Sequence, residues 1–138
     1  MIKRILVATD GTEAANKAYA FAVDIAKQYN ADLYVLAIAR PPAIGDDVET
    51  EAIIENSKNH CEKVLARLRA QAPFHGVQPR FEVAVGHPAE QILRHAEQCN
   101  ADIIVIGHRV KTFIERWRPG SISHRVLQYA HRPVVVVR

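Results

Sequence analysis

The sequence lacks most of what marks an exported, membrane-spanning or disulfide-stabilised chain. Its 138 residues include two cysteines, Cys61 and Cys99, which form no CxxC pair and fall at apolar positions of helical patterns. We therefore expect two buried free thiols, which suit the reducing cytoplasm. The first apolar run, at residues 5–8, is too short for a signal-peptide core or a membrane span. The sequence thus predicts a cytoplasmic protein without a membrane segment.

A strong excess of one charge is also missing. The net charge is +3, and the basic residues are dispersed except in residues 109–118. Because nucleic-acid binding requires a more extensive cationic surface, we expect no nucleic-acid partner. The one cationic segment matches a small phosphorylated ligand better than a duplex.

Recognisable metal-binding and catalytic motifs are absent from the sequence. The seven histidines form neither HExxH nor a Cys/His ligand spacing, which argues against a metal bound by the protein. No Ser/His/Asp set, carboxylate pair, nucleophile elbow, Walker pattern or Rossmann glycine pattern can be assembled. We therefore expect no dedicated catalytic residues.

What the chain does contain is a regular alternation of short apolar runs and helical patterns. Strands are predicted at residues 5–8, 33–38, 81–85, 103–106 and 134–137, with helices of 10–25 residues between them. Such alternation indicates parallel strands joined by right-handed crossovers, with helices on both faces. The average composition and the length predict one domain, spanning residues 1–138.

The same patterns predict where several elements begin and end. Thr12 is the predicted N-cap of the first helix, Tyr29 lies on its apolar stripe, and Asn30 is its predicted stop. Residues 41–47 are predicted to form a connection, and the second helix to break near Pro73 and Gly76. Apolar residues alternate over residues 81–85, which predicts a strand that is half exposed or at a sheet edge.

The most informative stretch follows the fourth predicted strand. That strand ends at Gly107, the cationic segment comes next, and Gly120 and Ser121 then open a helical pattern. Such a joint suits an anion, because unpaired N–H groups and the positive end of the helix dipole point into the loop. An ordinary strand-to-helix joint with a serine N-cap uses the same residues. Spacing alone leaves both interpretations open.

Four motifs together give the chain a resemblance to the universal stress protein family of the UspA type, over essentially its whole length. They are ILVATDGT at residues 5–12, GHPA at 86–89, IGH at 106–108, and a close formed by GS at 120–121 with RPVVVV at 132–137. The resemblance implies an α/β fold like that of the adenine nucleotide α-hydrolases, an open sheet of five parallel strands in the order 3-2-1-4-5. In that order the first and fourth strands flank a crevice at their carboxyl ends.

The resemblance also implies a phosphate-binding loop. Nucleotide-binding members carry the pattern G-x2-G-x9-G-[ST]; Gly107, Gly120 and Ser121 match it, whereas Val110 replaces the second glycine. Valine in left-handed backbone costs roughly 1–2 kcal/mol or more, so affinity suffers if the bound loop needs a positive φ there. Arg109 beside it is expected to offset some of this loss by pairing with phosphate oxygens.

The other site residues follow from the same resemblance. Asp10 is expected to accept hydrogen bonds from ribose hydroxyls, with capping of the first helix through Thr12 as its alternative role. Ser121 and Ser123 would donate hydroxyls to phosphate oxygens, and His108 either contacts a phosphate or is a surface loop residue. Ala8, Thr9 and Ile38 contact base and ribose, or are strand ends packed in the core. The predicted nucleotide site is Ala8, Thr9, Asp10, Ile38, Ile106, Gly107, His108, Arg109, Val110, Gly120, Ser121, Ile122 and Ser123.

The function that the resemblance implies is that of a cytoplasmic homodimer that binds ATP or AMP and acts as a stress-linked sensor or regulator. The dimer would pair the edge strand Val134, Val135, Val136 and Val137, unless its own helix covers that edge. Two alternatives stay open. One is a non-nucleotide member that acts by protein contacts, which Val110 and the apolar cluster of Phe113 and Trp117 favour. The other is a weak ATPase, with Mg²⁺ at the bound triphosphate.

Overall fold

The computed structural model describes residues 1–41, 48–71, 76–108 and 122–138, and these form strands and helices in strict alternation. The order is β1 (Arg4–Thr9), α1 (Glu13–Tyr29), β2 (Asp32–Ala39), α2 (Val48–Ala70), β3 (Arg80–Val85), α3 (Pro88–Gln98), β4 (Ile103–Gly107), α4 (Ile122–Tyr129) and β5 (Val134–Val137). The alternation predicted from the apolar runs is therefore confirmed. Residues 42–47 of the predicted connection 41–47 lie outside the described residues, as does Pro73 of the predicted helix break near Pro73 and Gly76.

All five strands form one parallel sheet. Its order is β3-β2-β1-β4-β5, which confirms the order 3-2-1-4-5. The central strands β1 and β4 are continuously apolar because helices cover both faces of the sheet. Ile5 and Val7 pack into one core and Leu6 into the other, and none of the three is more than 2% exposed.

The helices form one layer on each face of the sheet. α1 and α2 cover one face, and α3 and α4 cover the other. α1 faces the sheet with alanines at positions 18, 22 and 26, all fully buried, so small side chains line this helix–sheet contact. The predicted ends of α1 are confirmed: the Thr12 hydroxyl accepts a hydrogen bond from the Ala15 N–H at 3.2 Å, and Asn30 ends the helix in left-handed backbone.

Two side chains depart from the predicted burial, and one strand agrees with it. Tyr29, on the predicted apolar stripe of α1, is 52% exposed because it lies in the last turn, next to the helix end at Asn30. The prediction that residues 81–85 form a half-exposed or edge strand is confirmed, since β3 is an edge strand and Val85 at its end is 41% exposed. Cys61 is a buried free thiol as predicted, whereas the free Cys99 caps the end of α3 and is only partly buried.

Asp102 ties the start of β1 to the start of β4. Its Oδ2 accepts hydrogen bonds from the N–H groups of Lys3, at 2.7 Å, and Arg4, at 2.9 Å. Its own N–H donates to the Arg4 carbonyl at 2.8 Å. The two bonds to Oδ2 favour the ionised form, so the pKa of the Asp102 carboxyl lies below its ordinary value, chiefly through the Lys3 and Arg4 N–H groups.

The lowered pKa gives a prediction for stability against pH. A carboxyl with a depressed pKa stabilises the folded state above its unfolded pKa, and this contribution disappears as pH falls through the folded pKa. We predict that Asp102→Asn lowers the free energy of unfolding at neutral pH, and that the gap between variant and parent narrows below about pH 4. Urea unfolding over that range measures the gap. Asp24→Asn, on the exposed side of α1, is the control. A gap independent of pH would contradict the assignment.

Gly107, at the end of β4, lies directly against the first turn of α1. A Cβ atom at this position would be 2.5 Å from the Ala14 carbonyl oxygen and 2.8 Å from the Ala15 nitrogen. Both atoms belong to the backbone, which cannot relieve the contact by a change of rotamer as a side chain can. The glycine is therefore needed here for the close approach of strand and helix, and its φ is not positive.

Gly107→Ala is expected to push the start of α1 away from β4. Overpacking of this kind typically costs about 1–3 kcal/mol of unfolding free energy. Gly76→Ala is the comparison, because its Cβ would meet nothing within 4 Å although its φ is +94°, so only backbone strain of about 1–2 kcal/mol is expected. Urea unfolding of both variants decides the point. If Gly107→Ala proves less destabilising than Gly76→Ala, the packing explanation is wrong.

Candidate functional site

The carboxyl ends of β1 and β4 lie side by side at the point where the strand order reverses. The two strands are paired in parallel, with Val7 opposite Val105, and β2 flanks β1 on its other side. After β1 the chain enters α1 on one face of the sheet, and α4, which precedes β5, lies on the opposite face. Connections that leave in opposite directions open a crevice between the strand ends.

The crevice contains a cavity of about 130 Å³. It brings together seven residues of the predicted site, which are Ala8, Thr9, Asp10, Ile38, Ile106, Gly107 and Ile122. His108 and Ser123 are described but do not line it. Arg109, Val110, Gly120 and Ser121, together with Phe113 and Trp117, lie outside the described residues. Seven of the nine described residues of the predicted site therefore line one cavity, and two do not.

Three helices begin at this cavity. Thr12, Ala14 and Ala15 from the first turn of α1 line it, as do Pro88 at the start of α3 and Ile122 at the start of α4. Each helix N-terminus carries about half a positive charge and unpaired N–H groups. The walls are otherwise mostly apolar. The arrangement favours a ligand with an apolar part and an anionic part.

Asp10 is exposed, and one of its oxygens organises the turn between β1 and α1. Oδ1 accepts from the Thr12 N–H at 3.0 Å and from the Thr12 hydroxyl at 2.6 Å. The alternative capping role therefore exists. It uses two of about four lone-pair positions on the carboxylate, so capping and ribose binding are compatible.

His108 and Ser123 form a side-chain pair between the end of β4 and the start of α4. His108 Nδ1 lies 2.8 Å from the Ser123 hydroxyl, and the His108 N–H donates to the Val137 carbonyl at 2.8 Å. Ser123 is buried in the first turn of α4. The pair thus fixes the start of α4 against the end of β4.

Sequence reasoning missed the contribution of α3. Pro88 and Ile92 line the cavity, and His87 before them accepts a hydrogen bond at its Nε2 from the Arg125 guanidinium at 2.9 Å. This bond joins the start of α3 to α4. The sequence signal for this contribution is the GHPA motif at residues 86–89, which contains His87 and Pro88.

Neither a metal cluster nor a membrane helix was found among the described residues. Residues 1–41, 48–71, 76–108 and 122–138 contain no group of three His, Cys, Asp or Glu side chains that could hold a metal ion. In the same ranges, no helix combines the length and the apolar character that crossing a membrane requires.

Comparison with known proteins adds to this geometry. The family model described as "Universal stress protein family" matches residues 1–138. A universal stress protein of Methanocaldococcus jannaschii is 35% identical over 141 residues, covering 100% of this chain and 83% of that protein. The structure of UspA from Lactobacillus plantarum superposes with a TM-score of 0.85 at 25% identity, covering 99% of this chain and 98% of the other.

Structures of more distant sequence share the fold and were solved with nucleotides. A universal stress protein in complex with cAMP gives a TM-score of 0.79 at 22% identity, covering 99% of this chain and 97% of that one. An Archaeoglobus fulgidus protein with dAMP gives 0.67 at 20% identity, covering 100% and 98%. An Arabidopsis thaliana protein with AMP gives 0.67 at 16% identity, covering 98% and 90%. The match of the family model along the entire chain, on an open parallel sheet of this order, means that the chain belongs to the universal stress protein family.

Proposed function

We propose that this protein binds ATP or AMP in the crevice between β1 and β4 and acts as a stress-linked sensor or regulator. The observation that carries the proposal is the cavity itself, which seven predicted residues and three helix N-termini surround. Related folds that were solved with cAMP, dAMP and AMP support an adenine nucleotide as the ligand.

The cavity walls suggest how the parts of the nucleotide would lie. Adenine, which is planar and largely apolar at its faces, suits the side formed by Ala8, Ile38 and Ile106. The Asp10 carboxylate would accept hydrogen bonds from ribose hydroxyls, since the two bonds from Thr12 use two of its about four lone-pair positions. In this orientation the phosphates would lie toward Gly107 and the start of α4.

The phosphate end is where this chain departs from the family pattern. His108 and Ser123 would meet the phosphates, either directly or by holding the α4 N-terminus in place. Arg109, Gly120 and Ser121 would complete the contacts, and Val110 sets how much affinity the triphosphate retains. Mg²⁺ would be held by the triphosphate oxygens of ATP. Slow hydrolysis is the most that we would expect from such a site.

Asp10→Asn tests the ribose contact without removal of the turn. Asparagine keeps an oxygen for the Thr12 N–H but loses the second carboxylate oxygen and the charge. We predict that affinity for AMP and ATP falls about tenfold or more, because a hydrogen bond to a charged group contributes roughly 1.5–3 kcal/mol. Isothermal titration calorimetry gives the affinities, and thermal unfolding checks the fold.

Asp24→Asn is the matched control, since it removes one exposed carboxylate of α1 far along the helix from its first turn. It should leave the affinities unchanged. If the parent protein shows no heat of binding at millimolar AMP, ATP or cyclic AMP, the nucleotide proposal fails. In that case the alternative of action through protein contacts would take its place.

The homodimer is part of the same proposal, because β5 is an edge strand. Pro133 and Val137 carbonyls accept from Ile104 and His108 N–H groups of β4. Residues alternate in a parallel ladder, so the N–H groups of Val134 and Val136 face away from β4. All four valines are partly exposed. If the β5 strands of two subunits paired about a two-fold axis, the outward N–H groups of both strands would find hydrogen-bond partners.

Val136→Pro should convert the dimer to a monomer while the sheet stays intact. Proline removes the outward N–H and is tolerated on edge strands whose N–H does not bond inward. Val136→Thr is the control, because it preserves the N–H and the shape of the side chain. Sedimentation equilibrium measures the mass of each. A proline variant that stays dimeric would exclude β5 as the interface.

A cytoplasmic location is also part of the proposal, because the free thiols of Cys61 and Cys99 suit a reducing compartment.

A further inference from the structure

A second and larger cavity lies on the sheet face that α3 and α4 cover, toward the amino ends of the strands. Its volume is about 410 Å³, within the usual range for small-ligand pockets. It shares no lining residue with the crevice between β1 and β4. α3 contacts β1 and β2 on this face and leaves the surface of β3 beside it open.

Strand register defines the floor of this second cavity. Leu6, Tyr34 and Arg80 lie side by side in one row across β1, β2 and β3. Leu36 and Glu82 lie side by side in the next row on the same face, because side chains alternate along each strand. The two rows are about 7 Å apart, which is two strand residues. The floor is therefore apolar at its centre, with a cation and an anion along β3.

Arg80 is held in place by Tyr34. Its guanidinium carbon lies 5.2 Å from the centre of the Tyr34 ring, and Nη1 donates to the Tyr34 hydroxyl at 3.0 Å. A guanidinium has five N–H donors, and this bond uses one. The remaining fork has the geometry that binds a carboxylate in bidentate fashion. Stacking on the ring limits the positions that the fork can take.

On the opposite side of the cavity, His95 and Glu82 face each other with two acceptors. His95 Nδ1 lies 2.8 Å from the Gln91 carbonyl oxygen, which can only accept, so Nδ1 carries the proton. In neutral imidazole Nε2 is then an acceptor, and it lies 3.6 Å from Glu82 Oε1. A hydroxyl or amino group placed beside both atoms would supply the missing donor. His95 is largely buried, with 15% of its side chain exposed.

We propose that this cavity binds a single-ring aromatic carboxylic acid with a hydroxyl group opposite the carboxylate, the hydroxybenzoate class. The carboxylate pairs with Arg80, the ring occupies the part of the cavity that Leu6 and Leu36 line, and the hydroxyl meets Glu82 and His95. A para-substituted benzene ring spans about the distance between the two rows of the floor. This site is independent of the nucleotide proposal, because the two cavities have no residue in common.

The rate at which Cys99 is alkylated can report whether a ligand occupies the cavity. Cys99 lines the cavity and is partly exposed, whereas Cys61, the other cysteine, is a buried residue of α2. Burial raises the pKa of the Cys99 thiol, so the free protein reacts slowly and mildly alkaline conditions are needed. A ligand over the cavity should slow the reaction further.

The experiment follows alkylation of Cys99 by iodoacetamide, with peptide mass spectrometry, in the presence of millimolar 4-hydroxybenzoate. We expect alkylation to slow several-fold. Benzoate lacks the hydroxyl and 4-hydroxybenzamide lacks the charge, so each should protect less at the same concentration. These two probes test both polar contacts on the unaltered protein.

A pair of variants locates the binding. Arg80→Gln should raise the concentration needed for protection by about tenfold or more, since a charged pair is replaced by a neutral contact. Arg69→Gln is the matched control: Arg69 makes a similar stack over Phe81, at 4.9 Å, but lies on α2 outside the cavity lining. Lack of protection by 4-hydroxybenzoate, equal protection by benzoate, or equal loss in both variants would overturn the proposal.

Discussion

The parallel pairing of β1 with β4 is the contact on which the rest of this structure depends. It places two strands that are distant in sequence at the centre of the sheet, and it creates the reversal in strand order. Asp102 anchors the pair at the amino end through the Lys3 and Arg4 N–H groups. Gly107 anchors it at the carboxyl end, where the absence of a side chain lets α1 approach the strand. Both anchors involve backbone groups, which are the Lys3 and Arg4 N–H groups at one end and the Ala14 carbonyl at the other, and these leave little freedom in register.

The chemistry of the crevice follows from that pairing. Because the strands are parallel, the chain leaves each strand at the carboxyl edge of the sheet, and the following helix begins there. Helix N-termini therefore lie close together where β1 and β4 end. The fold therefore supplies positive potential without lysine or arginine. Side chains need only provide shape and one acceptor, which are the apolar walls and Asp10. This division explains how a chain with a net charge of only +3 could form the proposed anion-binding site.

Much of the fold was predictable because the apolar pattern of each strand is local. The runs at residues 5–8 and 103–106 are typical of strands covered on both faces, and Thr12 and Asn30 indicate the ends of α1. Strand order is not readable from periodicity and comes from resemblance to the family. Tyr29 departs from the prediction because periodicity assigns a face but not where the neighbouring layer ends.

The site was predictable where it consists of strand ends and not where it depends on packing between helices. Ala8, Asp10, Ile38 and Gly107 belong to strand motifs, and the structure gathers them. The bonds from His87 to Arg125 and from His108 to Ser123 join residues 38 and 15 positions apart. No sequence rule gives the pairing of such side chains, because it depends on how α4 packs against α3 and against the end of β4.

The central claim is that the ends of β1 and β4 form one nucleotide site, and amide chemical-shift mapping with AMP tests it most directly. The account predicts that the largest shift changes fall on the amides of Ala8, Asp10, Ile38 and Gly107, on three separate strands, and saturate together. The claim would be contradicted by chemical-shift changes that saturate but are confined to other residues, or by the absence of any chemical-shift change at millimolar AMP.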